Sequence, residues 1–285
     1  MSVTPLVSVC MITYNHGSHI EQAILSVINQ HVNFELELVI GEDCSTDDTR
    51  EKCLKLALQY PHIIKLLDNS TQLGMINNFR RTYAACSGKY VAMLDGDDFW
   101  IHQDKLQLQY NFMELNPEMA ACFTNLNVLD EFNSGAIYPF YETGKQPHAI
   151  STLIDILRNN FIATLTVFYR RALVSAIPNW FNGLKMGDWP LHILFAQQGD
   201  LAFIDLVTAT YRKHGGGVNS GADHETKFTT YLDSLKTIEK NIPTSNRKVF
   251  RKTIYEYLRV LVGIQIKKGR PDKALSTIYK YTFKL

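Results

Sequence analysis

The 285-residue chain lacks a disulfide framework: its five cysteines (Cys10, Cys44, Cys53, Cys86 and Cys122) are odd in number and include no CxxC pair. That spacing also excludes a zinc ribbon, and reduced thiols in a cytoplasmic setting are the expectation. No run approaches the roughly 18 apolar residues of a membrane span. The opening MSVTPLVSV has neither a basic n-region nor a cleavage site, so no secretory signal is expected. An excess of one charge is missing too: the net charge is +1, which argues against a generic polyanion binder, and no nucleic-acid partner is expected. There is no internal repeat and no low-complexity tract. What remains, 46% hydrophobic and 20% charged residues, is an ordinary globular composition in a chain long enough to bury a core unaided.

The near-zero charge hides an asymmetry. From Thr244 to Leu285 eleven Lys and Arg face two acids, a net charge of +9, which leaves −8 for residues 1–243. The tail and the body are therefore different physical objects.

Along the body, short β-branched runs alternate with helical patterns. Leu6–Thr13 reads as a strand. Ile20, Ala23, Ile24, Val27 and Ile28 recur at helical spacing behind Ser18 and Glu21, which have capping-box spacing. Leu36, Leu38 and Ile40 alternate as a second strand, Thr46 is placed to cap a helix ending before Pro61, and Ile63–Leu67 suggests a third strand. A helix over Asn77–Cys86 leads to a buried strand, Tyr90–Leu94. This alternation predicts parallel βαβ units in an α/β sheet. Further on, we expect a helix over Asp104–Leu115, a strand over Ala120–Leu129, a loop over Phe132–Pro147 and a helix over Ile150–Arg158. A strand over Ile162–Tyr169, a helix over Asp188–Gln198 and two short strands, Leu201–Val207 and Ala209–Arg212, follow. Beyond Gly221 the chain reads as helical, with a break at Gly269-Arg270-Pro271.

The strongest chemical signal is Leu94-Asp95-Gly96-Asp97-Asp98-Phe99-Trp100, three carboxylates in four positions straight after an apolar strand. Burying unpaired carboxylates is costly, so such a cluster wants a cation or solvent. In extended chain Asp95 and Asp97 point the same way, and Gly96 between them allows close backbone approach. The carboxyl ends of parallel strands are where open α/β sheets bind ligands, and hard carboxylate oxygens suit Mg²⁺ or Mn²⁺ with a diphosphate. An acidic surface loop is the plain alternative. An EF-hand is excluded by Phe99 and Trp100. Glu42-Asp43-Cys44-Ser45-Thr46 ends the second strand, where a carboxylate serves either as a helix cap or as a reader of a base or ribose. Gly187-Asp188-Trp189-Pro190 opens an apolar helix, so Asp188 is either an N-cap or a general base beside an aromatic wall. Tyr211-Arg212-Lys213-His214 before Gly215-Gly216-Gly217 places cationic groups on a glycine loop suited to a diphosphate or its metal. No P-loop is formed.

The order of these motifs, together with Val7–Asn15, resembles the family 2 glycosyltransferases of the GT-A fold, over about residues 5–220. The resemblance implies a Rossmann-like, mostly parallel sheet flanked by helices, in a catalytic domain of residues 1–221 with a basic helical extension at 222–285. It implies that Thr13, Tyr14 and Asn15 line the nucleotide pocket and that Asp43 reads the base, usually uracil. Asp95, Gly96 and Asp97 match the DxD motif, with Asp95 near the ribose and Asp97 on the metal, Mn²⁺ or Mg²⁺. Asp98 extends the metal set, His214 touches metal or diphosphate, and Arg212 adds charge on the same side. Asp188 matches the catalytic base of an inverting displacement. The donor implied is a nucleoside-diphosphate sugar, a UDP-sugar, and the acceptor a glycan or lipid-linked glycan in surface polysaccharide or glycoconjugate synthesis. One departure is Cys44, where glycine is usual.

Two other readings compete. A sugar nucleotidyltransferase needs a glycine-rich, basic signature that Leu6–Gly17 lacks. A catalytically inactive nucleotide-sugar-binding subunit would lack acids that are all present here. The tail is either a helical hairpin packed on the catalytic domain or a basic amphipathic element on anionic lipid at the inner membrane face. Acceptor contacts are expected in Phe132–Pro147 and around Phe161–Tyr169.

Overall fold

A computed structural model describes residues 5–216 and 223–282. Gly217 and the 221/222 boundary lie outside them. The first half follows the βαβ reading: β1 (Val7–Thr13), α1 (Ile20–Ile28), β2 (Leu36–Glu42), α2 (Thr49–Gln59), β3 (Ile64–Leu66), α3 (Met75–Ala85) and β4 (Tyr90–Asp95). β1 pairs in parallel with β2 and β4, and β2 with β3. Period-two alternation decides which side each residue feeds. Val9, Met11, Leu38, Ile40, Ala92 and Leu94 enter one core with α1 and α2. Cys10, Val39, Val91 and Met93 enter the opposite core with α3.

The second half is less regular. After β5 (Phe99–Trp100) and α4 (Lys105–Leu115), β6 (Ala121–Asp130) forms a hairpin with β7 (Ala136–Pro139), so part of the expected loop is strand. The expected helix from Ile150 opens instead with β8 (Ile150–Ser151), and α5 (Leu153–Arg158) follows with Thr152 and Asp155 closing a capping box. The strand expected from Ile162 shrinks to β9 (Val167–Arg170), which runs antiparallel to both β4 and β6. α6 (Asp188–Ala196) precedes β10 (Leu201–Lys213), one strand where two were expected, with register shifts between Ile204 and Ala209. The order is β3-β2-β1-β4-β9-β6-β10-β5. The pairing of β5 with β10 brings Tyr211–His214 to the acidic loop after β4.

Two expected caps do not form. α1 starts after His19 with no side-chain cap, and Thr46 donates to Asn15 rather than capping α2. Asp47 does that work, accepting from the Thr49 N–H at 3.0 Å and the Gly17 N–H at 2.9 Å.

Three helices follow: α7 (His224–Asn241), α8 (Thr244–Lys267) and α9 (Pro271–Thr282). Their apolar faces (Leu232, Leu235, Ile238, Phe250, Ile254, Leu258 and Tyr281) join the same core as Val39, Met93 and Trp189. Acids of α7 answer much of the basic tail. Glu225 pairs with Lys268 at 3.0 Å, Arg270 at 3.1 Å and Lys273 at 2.7 Å; Asp233 pairs with Lys280 and Glu239 with Arg251. Lys248, Lys252, Arg259 and Lys267 remain exposed along α8. No described helix is long and apolar enough to cross a membrane.

Candidate active site

The carboxyl ends of β1, β2 and β4 meet at one edge of the sheet. Thr13 ends β1, and the Asp43 N–H donates to its carbonyl at 3.0 Å. Asn15, with φ of 54°, ties the two neighbouring turns together: its N–H donates to Ser45 Oγ at 2.9 Å and its Oδ1 accepts from the Thr46 N–H at 2.8 Å. Cys44 has φ of 58°, the left-handed region that favours glycine. The unusual side chain there carries a backbone cost of about 1–2 kcal/mol. Asp43 is buried. Its Oδ1 accepts from the Leu73 N–H and its Oδ2 from the Gly74 N–H, both at 2.8 Å, so it fastens the loop that leads into α3. At Gly96 a Cβ would lie 2.5 Å from Thr13 Oγ1, and only glycine lets the acidic loop lie against β1.

The acids of that loop have separate surroundings. Burial, then the charges of Asp97 and Asp188, push the Asp95 carboxyl up. Asp97 is raised by burial, but the His214 hydrogen bond and the nearby His16 outweigh it and hold the carboxyl low. His214 Nε2 stands 3.0 Å and His16 Nε2 3.6 Å from Asp97 Oδ2. The same hydrogen bond raises the His214 imidazole against its partial burial. Asp98 is fully enclosed. Its Oδ1 accepts from the Arg212 N–H at 2.7 Å, and burial pushes it well up. The Arg212 guanidinium donates to the Asp97 carbonyl at 2.9 Å and to Glu131 at 3.1 Å, and lies 4.9 Å above the Phe99 ring.

On the far side, Asp188 is the first residue of α6, not its cap; Gly187 holds that place. The Asp188 carboxylate instead accepts from Asn160 Nδ2 at 2.8 Å. Trp189 beside it is buried and locked by its indole N–H on the Ile156 carbonyl at 2.7 Å. Behind, the Tyr169 hydroxyl lies 2.5 Å from His192 Nδ1, and His192 Nε2 lies 3.2 Å from the Ile162 carbonyl. The carbonyl can only accept, so Nε2 carries the proton and Tyr169 donates to Nδ1.

A cavity of about 400 Å³ collects Thr13, Tyr14, Asp43, Asp95, Asp97, Asp98 and Asp188 on its walls. Asn15 and Gly96 shape the backbone at its edge, while Arg212 and His214 stand behind the acidic loop. Asp97 and His214 offer an oxygen and a nitrogen donor, a pair suited to Mn²⁺. His19, Glu131 and His214 form a second set, with ligand atoms all within 4.8 Å of one another. The sequence reading missed His16, His19 and Glu131, though His16 and His19 are three apart at a helix start. It also missed Asn160, Tyr231 and Tyr257, which line the cavity and carry no local signal.

A mixed, largely parallel sheet with acids gathered at one carboxyl edge, and helices on both faces, defines the GT-A class of fold. The model described as Glycosyl transferase family 2 matches residues 8–175, and the chain belongs to that family. An uncharacterised protein of Mycobacterium bovis is 30% identical over 220 residues, 74% of this chain and 60% of its own; the chain thus spans about 60% of that relative's length. The Escherichia coli UDP-Glc:alpha-D-GlcNAc-diphosphoundecaprenol beta-1,3-glucosyltransferase WfgD is 28% identical over 78% of this chain and 83% of its own. Among solved structures, Staphylococcus aureus TarS 1–349 in complex with UDP superposes with a TM-score of 0.61 at 17% identity, covering 87% of this chain and 70% of TarS. The mannosyltransferase PcManGT from Pyrobaculum calidifontis, in complex with GDP-Man and Mn²⁺, gives 0.62 at 14% identity, covering 99% and 88%.

Proposed function

We propose that the chain transfers a sugar, with inversion, from a nucleoside-diphosphate donor to an acceptor hydroxyl in the building of a surface polysaccharide or glycoconjugate. One observation carries the reading: Thr13, Asp43, Asp95 and Asp97 share a cavity with Asp188. Nucleotide-side and base-side groups therefore face one space. The donor is a UDP-sugar, a choice supported by the UDP complex of TarS and the UDP-Glc named for WfgD. Thr13 and Tyr14 line the nucleoside side with Asn15 shaping the turn at its edge, Asp43 and its loop bound the base, and Asp95 lies toward the ribose.

Asp97 and His214 would hold Mn²⁺ or Mg²⁺, with Asp98 fixing the loop's backbone to Arg212. When bound, the ion neutralises charge building on the leaving diphosphate. Arg212 adds positive charge behind the same loop. Asp188, oriented by Asn160, takes the proton of the attacking hydroxyl. The acceptor oxygen then forms the new bond to the anomeric carbon. The anomeric carbon–phosphate oxygen bond breaks, and the nucleoside diphosphate leaves with its electron pair. Work in the cytoplasm fits five free thiols. Lipid-linked acceptors would be met at the inner membrane face through the exposed cations of α8.

Calorimetry with UDP, GDP and dTDP, each with Mn²⁺ and with EDTA, tests the reading on the wild type and on Asp97→Ala. Metal-dependent UDP binding that the variant loses is expected. Tighter GDP binding reassigns the donor, and no nucleotide binding by folded protein refutes the proposal. Metal-dependent binding with no turnover of any UDP-sugar identifies an inactive binding subunit instead.

A further inference from the structure

Beside Asp188 the cavity has a part whose walls the donor reading leaves without a role. Its walls there are Asn160, Trp189, Tyr231 and Tyr257. Asn160 spends its amide N–H on Asp188, which fixes the amide's orientation, because the opposite flip would set two oxygens face to face. Its Oδ1 is then a buried acceptor with no partner. Such an atom costs free energy unless a ligand donor fills it. Tyr231 comes from α7 and Tyr257 from α8. The Tyr257 ring centroid stands 5.8 Å from Trp189, 5.5 Å from Phe228 and 6.0 Å from Tyr231, so the wall is a rigid aromatic cluster.

We infer that this half of the cavity is a subsite for a pyranose unit of the acceptor, in which Asn160 Oδ1 accepts from a hydroxyl adjacent to the attacking one and Tyr257, with Tyr231, packs against the C–H face of the ring. A pyranose offers what the wall asks for, hydroxyl donors at its rim and an apolar C–H face; a diphosphate offers neither, and the donor's base is already assigned to Asp43 and its loop. The inference rests on the donor reading above only for naming this ring the acceptor's. It also moves acceptor recognition from Phe132–Pro147 to the C-terminal helices, while Thr164 and Tyr169 of the expected Phe161–Tyr169 stretch line the same cavity.

Saturation-transfer NMR on the full chain tests it, with methyl α- and β-glucosides, galactosides and N-acetylglucosaminides as probes, each with and without UDP and Mn²⁺. At least one pyranoside should show transfer concentrated on one C–H face. Asn160→Ala and Tyr257→Leu should each weaken its binding about five-fold, and Tyr257→Phe should restore it. UDP affinity is the control for folding and for the donor half. Pyranoside binding that ignores both variants, or none at all, overturns the subsite while UDP binding keeps the donor reading. Variant-sensitive pyranoside binding without any UDP binding supports the subsite and removes the donor reading.

Discussion

Asp43→Asn separates two jobs that one carboxylate is proposed to hold. In the structure both oxygens are occupied: the Leu73 and Gly74 N–H groups donate to Oδ1 and Oδ2, each at 2.8 Å, and Asn69 Nδ2 reaches Oδ1 at 3.4 Å. Asparagine has nearly the same shape but only one acceptor. Its NH₂ must face one of the two backbone donors, so one charge-assisted bond is lost, and the freed N–H of the partly exposed Leu73–Gly74 turn is left to water. The lost bond contributes about 1.5–3 kcal/mol. A net loss of about 2 kcal/mol is expected. With a urea slope of about 3 kcal/mol/M, the unfolding midpoint falls by about 0.7 M at unchanged slope. Gln72 and Gly74 of the released loop line the cavity, so UDP affinity should fall as well. An unchanged midpoint with lost UDP binding refutes the anchoring argument. A lowered midpoint with UDP affinity intact refutes the nucleotide role.

Asp188→Asn keeps the acceptor for Asn160 but cannot take a proton, so turnover should drop about 10²–10⁴-fold in a coupled UDP-release assay with UDP affinity unchanged; an undiminished rate excludes Asp188 as base. Lys105 is fully buried, its ammonium 4.6 Å over the Trp100 ring, and burial lowers its pKa from 10.5 to about 7. Between those values the unfolded chain binds a proton that the folded chain does not, so stability should rise with pH from about 7 to 10.5, by on the order of 5 kcal/mol. Lys105→Met should remove that rise, and parallel pH–stability curves for the two proteins would refute it. Reversing Lys248, Lys252 and Arg259 to Glu in the full chain should abolish cosedimentation with anionic vesicles, each cation contributing about 1 kcal/mol. Equal binding before and after, or equal binding to neutral vesicles, sinks the membrane contact. Removing the tail is a poorer test, because its helices share the core of the sheet.

The proposed donor half was legible because its residues are local in sequence. β1, β2 and β4 are short strands with a plain apolar pattern, each followed at once by its polar group, so strand and site come from the same few residues. The second half resisted for lack of such local cues. β9 is antiparallel and four residues long, and its position depends on β4 and β6 rather than on its own pattern. Capping failed at Thr46 because Asn15, distant in sequence, holds its hydroxyl while the neighbouring Asp47 takes the Thr49 N–H, and at Ser18 because the chain turns into α1 on the His16 carbonyl instead. Asn160, Tyr231 and Tyr257 enter the cavity only through packing of helices that follow the family's motifs, and a tyrosine on an apolar helix face gives no hint of what its ring will meet. Cys44 was legible only as an oddity until its positive φ gave the reason that glycine is usual there.

The hydrogen bond between Asp97 and His214 spans 117 positions of sequence, and Tyr231 and Tyr257 of the aromatic wall lie later still. A chain growing from its N-terminus thus makes β1, β2 and β4 with their acids long before it makes His214 and the two tyrosines. The tail helices that share the core with Val39 and Met93 come last, so the proposed donor and acceptor sides can meet only once the whole fold has closed.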